Sequence, residues 1–288
     1  MKDISDQDLL KNIPLVAKKH EGHKSKVKVG AREIGGDRFT VIAGPCAVES
    51  LAQVLDIAKN VKQSGAALLR GGAFKPLTFP YRTESLFELR EEGLEYLQEA
   101  GKAYDLPVVT EVMDVRLVEK VAEHADMLQI GARNMQNFPL LEEVGKTKKP
   151  VLLKRHFGAS LRDWLGAAEY LFHSGNENVV LCERGIVAPH THEPTSRFIV
   201  DLQVIPAVRE YSHLPVIVDA SHATFKRKYV PPIARGALAV GADGVMLDVH
   251  PTPEKAAVDP LQALNYRAFA DLMGELGALA KALAKGLA

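Results

Sequence analysis

Cysteine is scarce in this chain: among 288 residues there are only Cys46 and Cys182, and tryptophan occurs once, as Trp164. Two cysteines cannot build a disulfide framework, so they read as free thiols or as a metal ligand. An excess of one charge is also missing, because 36 Lys and Arg stand against 36 Asp and Glu. No global field then favours nucleic acid or an anionic membrane, and any anion site must come from a local cluster. Aromatic residues are scattered with no basic stripe beside them, which excludes a nucleic-acid partner; Trp164, in a helical segment, reads as core or interface. No apolar stretch reaches the ~20 residues that cross a bilayer. The polar start MKDISDQDLLKNIP lacks a signal-peptide pattern, so the expected location is the cytoplasm.

Hydrophobic residues are plentiful, at 47%, and they fall in short runs. Eight recur: FTVIAG (39–44), AALLR (66–70), PVVTEV (107–112), MLQIG (127–131), PVLLKR (150–155), NVVLCER (178–184), PVIVDAS (215–221) and GVMLDVH (244–250). Between them lie segments of helical periodicity, among them SLAQVLDIAKNVKQSG, TESLFELREEGLEYLQEAG, SLRDWLGAAEYLFHSG and SRFIVDLQVIPAVREY, several closed by glycine. Strands apolar throughout are buried on both faces, as in a parallel sheet. Eight strand–helix units predict an α/β protein, a (β/α)8 TIM barrel, over residues 38–288. An open doubly wound sheet is the competing architecture. The barrel is favoured because the charged residues gather at the C-terminal ends of the runs, where barrels carry their active sites. Residues 1–37 are polar and Lys-rich, an N-terminal extension too short for a regulatory domain, in which KVKVGAREIGG predicts a hairpin closing the barrel bottom. The final RAFADLMGELGALAKALAKGLA predicts an amphipathic eighth helix.

Five cations, Arg70, Lys75, Arg133, Lys154 and Arg184, stand at strand ends. Alone, each reads as half of an ion pair with a neighbour such as Glu49, Glu111 or Glu183. Gathered in one barrel mouth they would repel, so together they point to a ligand with two or three negative charges, such as a small phosphorylated acid. Cys46, His222, Asp248 and Asp259 form a second set. A thiolate, an imidazole and two carboxylates suit a divalent Mn, Fe, Co or Zn ion and suit Ca poorly. Singly, Cys46 reads as a small buried apolar residue, His222 as a hydrogen-bonded loop residue, and Asp248 and Asp259 as helix caps; only convergence makes them a metal set. Cys182 lies mid-run and packs. His190, His192 and His250 are further candidates that spacing does not place.

With these residues in place, the segments VIAGPCAVES, LLRGGAFKP, QIGARNMQN, PVLLKR, NVVLCERGI, PVIVDASHAT and DVHPTPEKA closely resemble the 3-deoxy-D-arabino-heptulosonate 7-phosphate (DAHP) synthases. This is the branch shared with the 3-deoxy-D-manno-octulosonate 8-phosphate synthases, and GARNMQN points to its DAHP side. The resemblance implies a transferase that condenses phosphoenolpyruvate with an aldose phosphate, erythrose 4-phosphate expected, using a divalent metal at the first step of the shikimate pathway. It also implies a homo-oligomer, commonly a tetramer. Carried over by position, Cys46, His222 and Asp259 would bind the metal, with Asp248 standing where the family has glutamate. Arg70, Arg133, Lys154 and Arg184 would grip phosphoenolpyruvate, and Lys75 would reach both substrates, so that Lys75, Cys46 and His222 carry the catalysis.

The departures from the family cluster on the acceptor side. Where Arg-Thr-Ser normally takes the sugar phosphate, this chain has Leu77, Thr78 and Phe79, so Thr78 alone is retained. A leucine cannot replace a charge-assisted hydrogen bond to phosphate. The loop after ERGI reads VAPHTHEPTSR, longer than the family's; LLKR leads into HFGAS; and the glycine expected after SHAT is Phe225, followed by the basic KRK. Two expectations follow: a different aldehyde acceptor, or a phosphate held by Lys226, Arg227 or Arg197. The alternative of another class is a non-catalytic barrel that binds a phosphorylated metabolite, against which the metal set speaks.

Overall fold

The computed structural model describes residues 6–75, 88–188 and 198–288. The chain opens with α1 (Asp6–Asn12) and a hairpin of β1 (Val27–Val29) and β2 (Arg32–Ile34), paired antiparallel. The barrel strands follow: β3 (Arg38–Gly44), β4 (Leu68–Arg70), β5 (Val108–Glu111), β6 (Met127–Ile130), β7 (Val151–Lys154), β8 (Val179–Glu183), β9 (Val216–Asp219) and β10 (Gly244–Asp248). Each lies parallel to its sequence neighbour, and β10 pairs back onto β3, from Gly244↔Thr40 to Asp248↔Gly44. That last ladder closes the ring, so the eight runs form a barrel and not an open sheet.

The helices α2 (Leu51–Gln63), α3 (Glu91–Tyr104), α4 (Val118–His124), α5 (Phe138–Lys146) and α6 (Leu161–His173) alternate with the first strands. Then come α7 (Val204–Tyr211), α8 (Ala220–Thr224), α9 (Val230–Ala239) and α10 (Tyr266–Ala282). Local chemistry sets several starts: Ser50 Oγ accepts from Gln53 N, and Ser160 with Asp163 forms a reciprocal capping box. One helix starts later than its periodicity predicts. The segment before Val204 is taken by an antiparallel bridge in which Ile186 and Ile199 exchange two N–H···O bonds of 2.9 Å, which holds those backbones extended.

Continuous apolar strands have two destinations here. Ile42, Leu68, Val109, Met127, Leu152, Val180, Ile217 and Met246 point inward, while alternate residues such as Val41, Leu69 and Leu153 pack beneath the helices. Cys182 belongs to the interior set, and Trp164 is fully buried under the helical layer with its Nε1–H donating to Leu153 O. The hairpin's Val27, Val29 and Ile34 join the interior cluster and stopper the N-terminal end of the barrel. Burying each such side chain is worth roughly 1.5–3 kcal/mol. A further strand that no pattern predicts, β11 (Gly286–Leu287), lies parallel to β3 at Arg38 and Phe39 and ties the end of the chain to the first barrel strand.

Candidate active site

The opposite end of the barrel carries the chemistry. Gly44 closes β3 where the chain passes Arg70 so closely that a Cβ would lie 2.0 Å from its carbonyl oxygen. This close approach lets Pro45 and Cys46 turn into the mouth. His222 comes from α8, a short helix begun directly at the end of β9, where Asp219 Oδ1 accepts the His222 amide at 3.0 Å. Asp259 lies in the loop after β10 with a left-handed backbone, φ 54°, a conformation that Asp tolerates better than most residues. Glu49 fastens that loop to the first one, accepting Ala257 N at 2.9 Å with His250 Nε2 at 3.5 Å.

Cys46 Sγ stands 3.7 Å from His222 Nε2 and 3.2 Å from Asp259 Oδ2, and the latter two atoms are 3.5 Å apart. Among the described residues these three are brought together as a candidate metal group. Bond lengths usual for a thiolate, an imidazole and a carboxylate around a tetrahedral ion put such donors about 3.5 Å apart, so the set fits a transition ion. The far nitrogen of the ring, Nδ1, faces Asp219 Oδ2 at 3.0 Å. An imidazole held from behind by a carboxylate presents its other nitrogen as ligand. Burial disfavours a charged ring, but Asp219 and then Asp248 outweigh it and push His222 up to about 9.

Asp248 is not with the other three. It is fully buried, its Oδ1 accepts Arg70 Nη1 at 2.7 Å, and its Oδ2 accepts Gln262 Nε2 at 2.6 Å. One methylene shorter than glutamate, it stays behind His222, with Oδ2 3.6 Å from Nδ1.

The five cations are divided between ion pairs and the open rim. Arg70 donates to Asp248 and to Pro45 O, and Lys154 Nζ donates to Asp219 Oδ2. Both cations are buried, and both pair with carboxylates that end strands two places away around the barrel instead of with Glu49, Glu111 or Glu183. Glu183 is held by Arg155, at 3.2 Å, which also meets Asp201 at 2.8 Å. Lys75 Nζ is 3.1 Å from Cys46 Sγ and 3.0 Å from Cys46 O. Burial works against its charge, but Cys46, Glu111 and Asp259 overcome this and hold the ammonium above the ordinary lysine range. Arg184 is nearly buried, its guanidinium 4.3 Å from the centre of the Phe198 ring. Arg133 is exposed on the turn after β6. Leu77, Thr78, Phe79, His190, His192 and Arg197 lie outside the described residues.

Sequence reasoning missed Asp219 and Gln262. Asp219 was discoverable, because it is a carboxylate ending an apolar run like the residues that were picked out. Gln262 lies in a loop with no pattern.

A closed parallel barrel with this rim belongs to the class of barrel enzymes that handle anionic substrates. The DAHP synthetase I family matches residues 17–282, so the chain belongs to that family, whose members are phosphoenolpyruvate-dependent aldolases of the transferase type. It is 44% identical over 275 residues to the phospho-2-dehydro-3-deoxyheptonate aldolase of Thermotoga maritima, covering 96% of this chain and 80% of that one. A 2-dehydro-3-deoxyphosphooctonate aldolase of Fusobacterium nucleatum is 31% identical, covering 82% of this chain and 88% of the relative. Among solved structures, a truncated DAHP synthase from Thermotoga maritima superposes with a TM-score of 0.88 at 41% identity, covering 96% of this chain and all of that one. Among the described residues no helix is long and apolar enough to cross a membrane.

Proposed function

We propose that the chain condenses phosphoenolpyruvate with erythrose 4-phosphate to a 3-deoxyheptulosonate phosphate and inorganic phosphate, the entry to aromatic biosynthesis, and that it requires a divalent metal ion. The observation that carries this reading is the meeting of Cys46, His222 and Asp259 beside Lys75 and the buried cations at one barrel rim. Arg70, Arg133, Lys154 and Arg184 would take the carboxylate and phosphate of phosphoenolpyruvate through charge-assisted hydrogen bonds. Arg70 and Lys154 are each anchored by a carboxylate, so their donors are oriented before substrate arrives. A metal ion on Cys46, His222 and Asp259 would supply a Lewis acid for the aldehyde oxygen. Lys75, charged and beside the thiol, would deliver a proton to that same oxygen as the carbon–carbon bond forms. The new bond joins C3 of the enol to the aldehyde carbon; water adds at C2, and the resulting adduct expels phosphate.

The test is release of phosphate from phosphoenolpyruvate with manganous ion and erythrose 4-phosphate, arabinose 5-phosphate or unphosphorylated aldoses. Turnover with erythrose 4-phosphate that stops on chelation supports the reading; no turnover with any acceptor sinks it. A second reading, the same chemistry on a different aldehyde, is favoured by one observation. Arg227, a candidate to replace the arginine missing at Leu77, is already committed, donating to Ala263 O, Pro260 O and Glu254. Under that reading Leu77→Arg raises kcat/KM for erythrose 4-phosphate by about tenfold or more, the scale of one hydrogen bond to a charged group.

A further inference from the structure

The carboxylate at the end of β10 does a different job from the three donors around Cys46. If Asp248 were to ligate an ion among Cys46, His222 and Asp259, it would have to come around the imidazole. Its Oδ2 approaches Nδ1, at 3.6 Å, whereas Cys46 and Asp259 approach Nε2 on the other side of the ring. Moving would also break both of its strong contacts, 2.7 Å to Arg70 and 2.6 Å to Gln262. A fully buried guanidinium would then lose its counter-ion, and a charge left unpaired in the interior is strongly disfavoured. Ser221 Oγ adds a further restraint by accepting the Asp248 amide at 2.9 Å. Arg70, in turn, has its Nη1 committed to Asp248 and Pro45 while its buried Nε has no partner among the described residues. The guanidinium is thus anchored through Nη1, with the Cys46 side chain also against it, and its Nε keeps a donor unspent.

Resting on the metal reading above, we propose that Asp248 is a positioning residue that anchors Arg70 for phosphoenolpyruvate, and that the metal is held by three protein ligands, Cys46, His222 and Asp259. Three protein ligands leave a position open for water or substrate, as catalytic sites require. The residue at the end of β10 then governs affinity for the anionic substrate and leaves affinity for the ion largely alone.

Equilibrium dialysis against manganous ion, with steady-state kinetics at saturating metal, tests both halves. Asp248→Asn weakens metal binding by less than about tenfold, whereas Asp259→Asn weakens it by more than about a hundredfold, beyond the range usual for groups behind a ligand. In the same Asp248→Asn protein, KM for phosphoenolpyruvate rises about tenfold or more while kcat changes little, because Arg70 is released. Equal metal loss in the two variants would make Asp248 a ligand and overturn the assignment; an unchanged KM would overturn the anchoring role. Because Asn strands the buried Arg70 charge, the double variant Arg70→Met with Asp248→Leu is dialysed in parallel. It removes both charges and retains the ion within the same limit if the assignment holds. Absence of metal binding in the unmodified protein would overturn the metal reading itself, a result distinct from loss in Asp248→Asn alone.

Discussion

At the bottom of the barrel Val27, Val29 and Ile34 close the interior with apolar side chains, whereas at the top Arg70, Lys154, Asp219 and Asp248 are buried as ions. The bottom has charges too, but most stay in solvent, Lys26 pairing with Glu33, and Arg32 and Lys62 with Asp105; the exception is Asp243, buried just before β10 and answered by the partly exposed Lys24 and Arg209. Lys26, Arg32, Glu33 and Lys62 line a cavity of ≈ 580 Å³ together with Asp37 and Arg38. Stability is served by the bottom arrangement, since apolar closure needs few desolvated ions. The top keeps a whole set of buried charges, Arg155, Glu183 and Arg184 among them, that a stable barrel does not need. What they provide is a set of donors fixed in place before any ligand arrives.

The comparison can be broken most sharply by Cys46→Ala. Loss of a metal contribution worth several kcal/mol in the transition state should lower kcat/KM by about a thousandfold or more, with a circular-dichroism spectrum and thermal transition that match those of the metal-free parent chain. The complementary change at the bottom, Ile34→Ala, should cost about 2–5 kcal/mol of stability in urea titrations while metal affinity stays at the level of the unmodified chain. Equal damage to metal binding by Ile34→Ala would show that the two ends are one mechanical unit. Metal addition separates them again: at a hundred times its dissociation constant the ion should stabilise the protein by about 2.7 kcal/mol, seen as a higher Tm, and chelation or Cys46→Ala should abolish the gain. The smallest effect is expected from Asp105→Asn, where exposed pairs to Arg32 and Lys62 are lost and Asn accepts the left-handed φ of 50°. Its melting curve should overlay that of the parent chain.

Much of this contrast was legible in the sequence. The eight strands could be read because both faces of each are buried, which makes them apolar without alternation, and the rim was legible because a polar residue ends nearly every run. Cys46, His222 and Asp259 come together as expected. What could not be read is which carboxylate answers which cation. Arg70 meets Asp248, and Lys154 meets Asp219, each across one intervening barrel strand, a pairing that no spacing in the sequence announces. On the proposal above, that pairing takes Asp248 out of the expected metal set. The start of α7 was misplaced because a single bridge between Ile186 and Ile199 leaves no periodic trace, and β11 is too short to have any pattern. Phe225, where the family's glycine was expected, nonetheless keeps a left-handed backbone at φ 63°, so the turn after α8 was legible as a position but not from its residue type.

The pairing of β10 with β3 sets a schedule as well as a shape. Every other barrel strand finds its partner in the next strand along the chain, but Gly44 waits for Asp248, and Arg38 for Gly286. Contacts so distant in sequence form late and slowly, so until that seam is zipped the chain carries two unprotected strand edges. The donors Cys46 and His222 lie on opposite sides of the same seam. Closure of the barrel is thus also what brings Cys46 to His222, and on the metal reading proposed above an ion bound there would act as a latch on the seam.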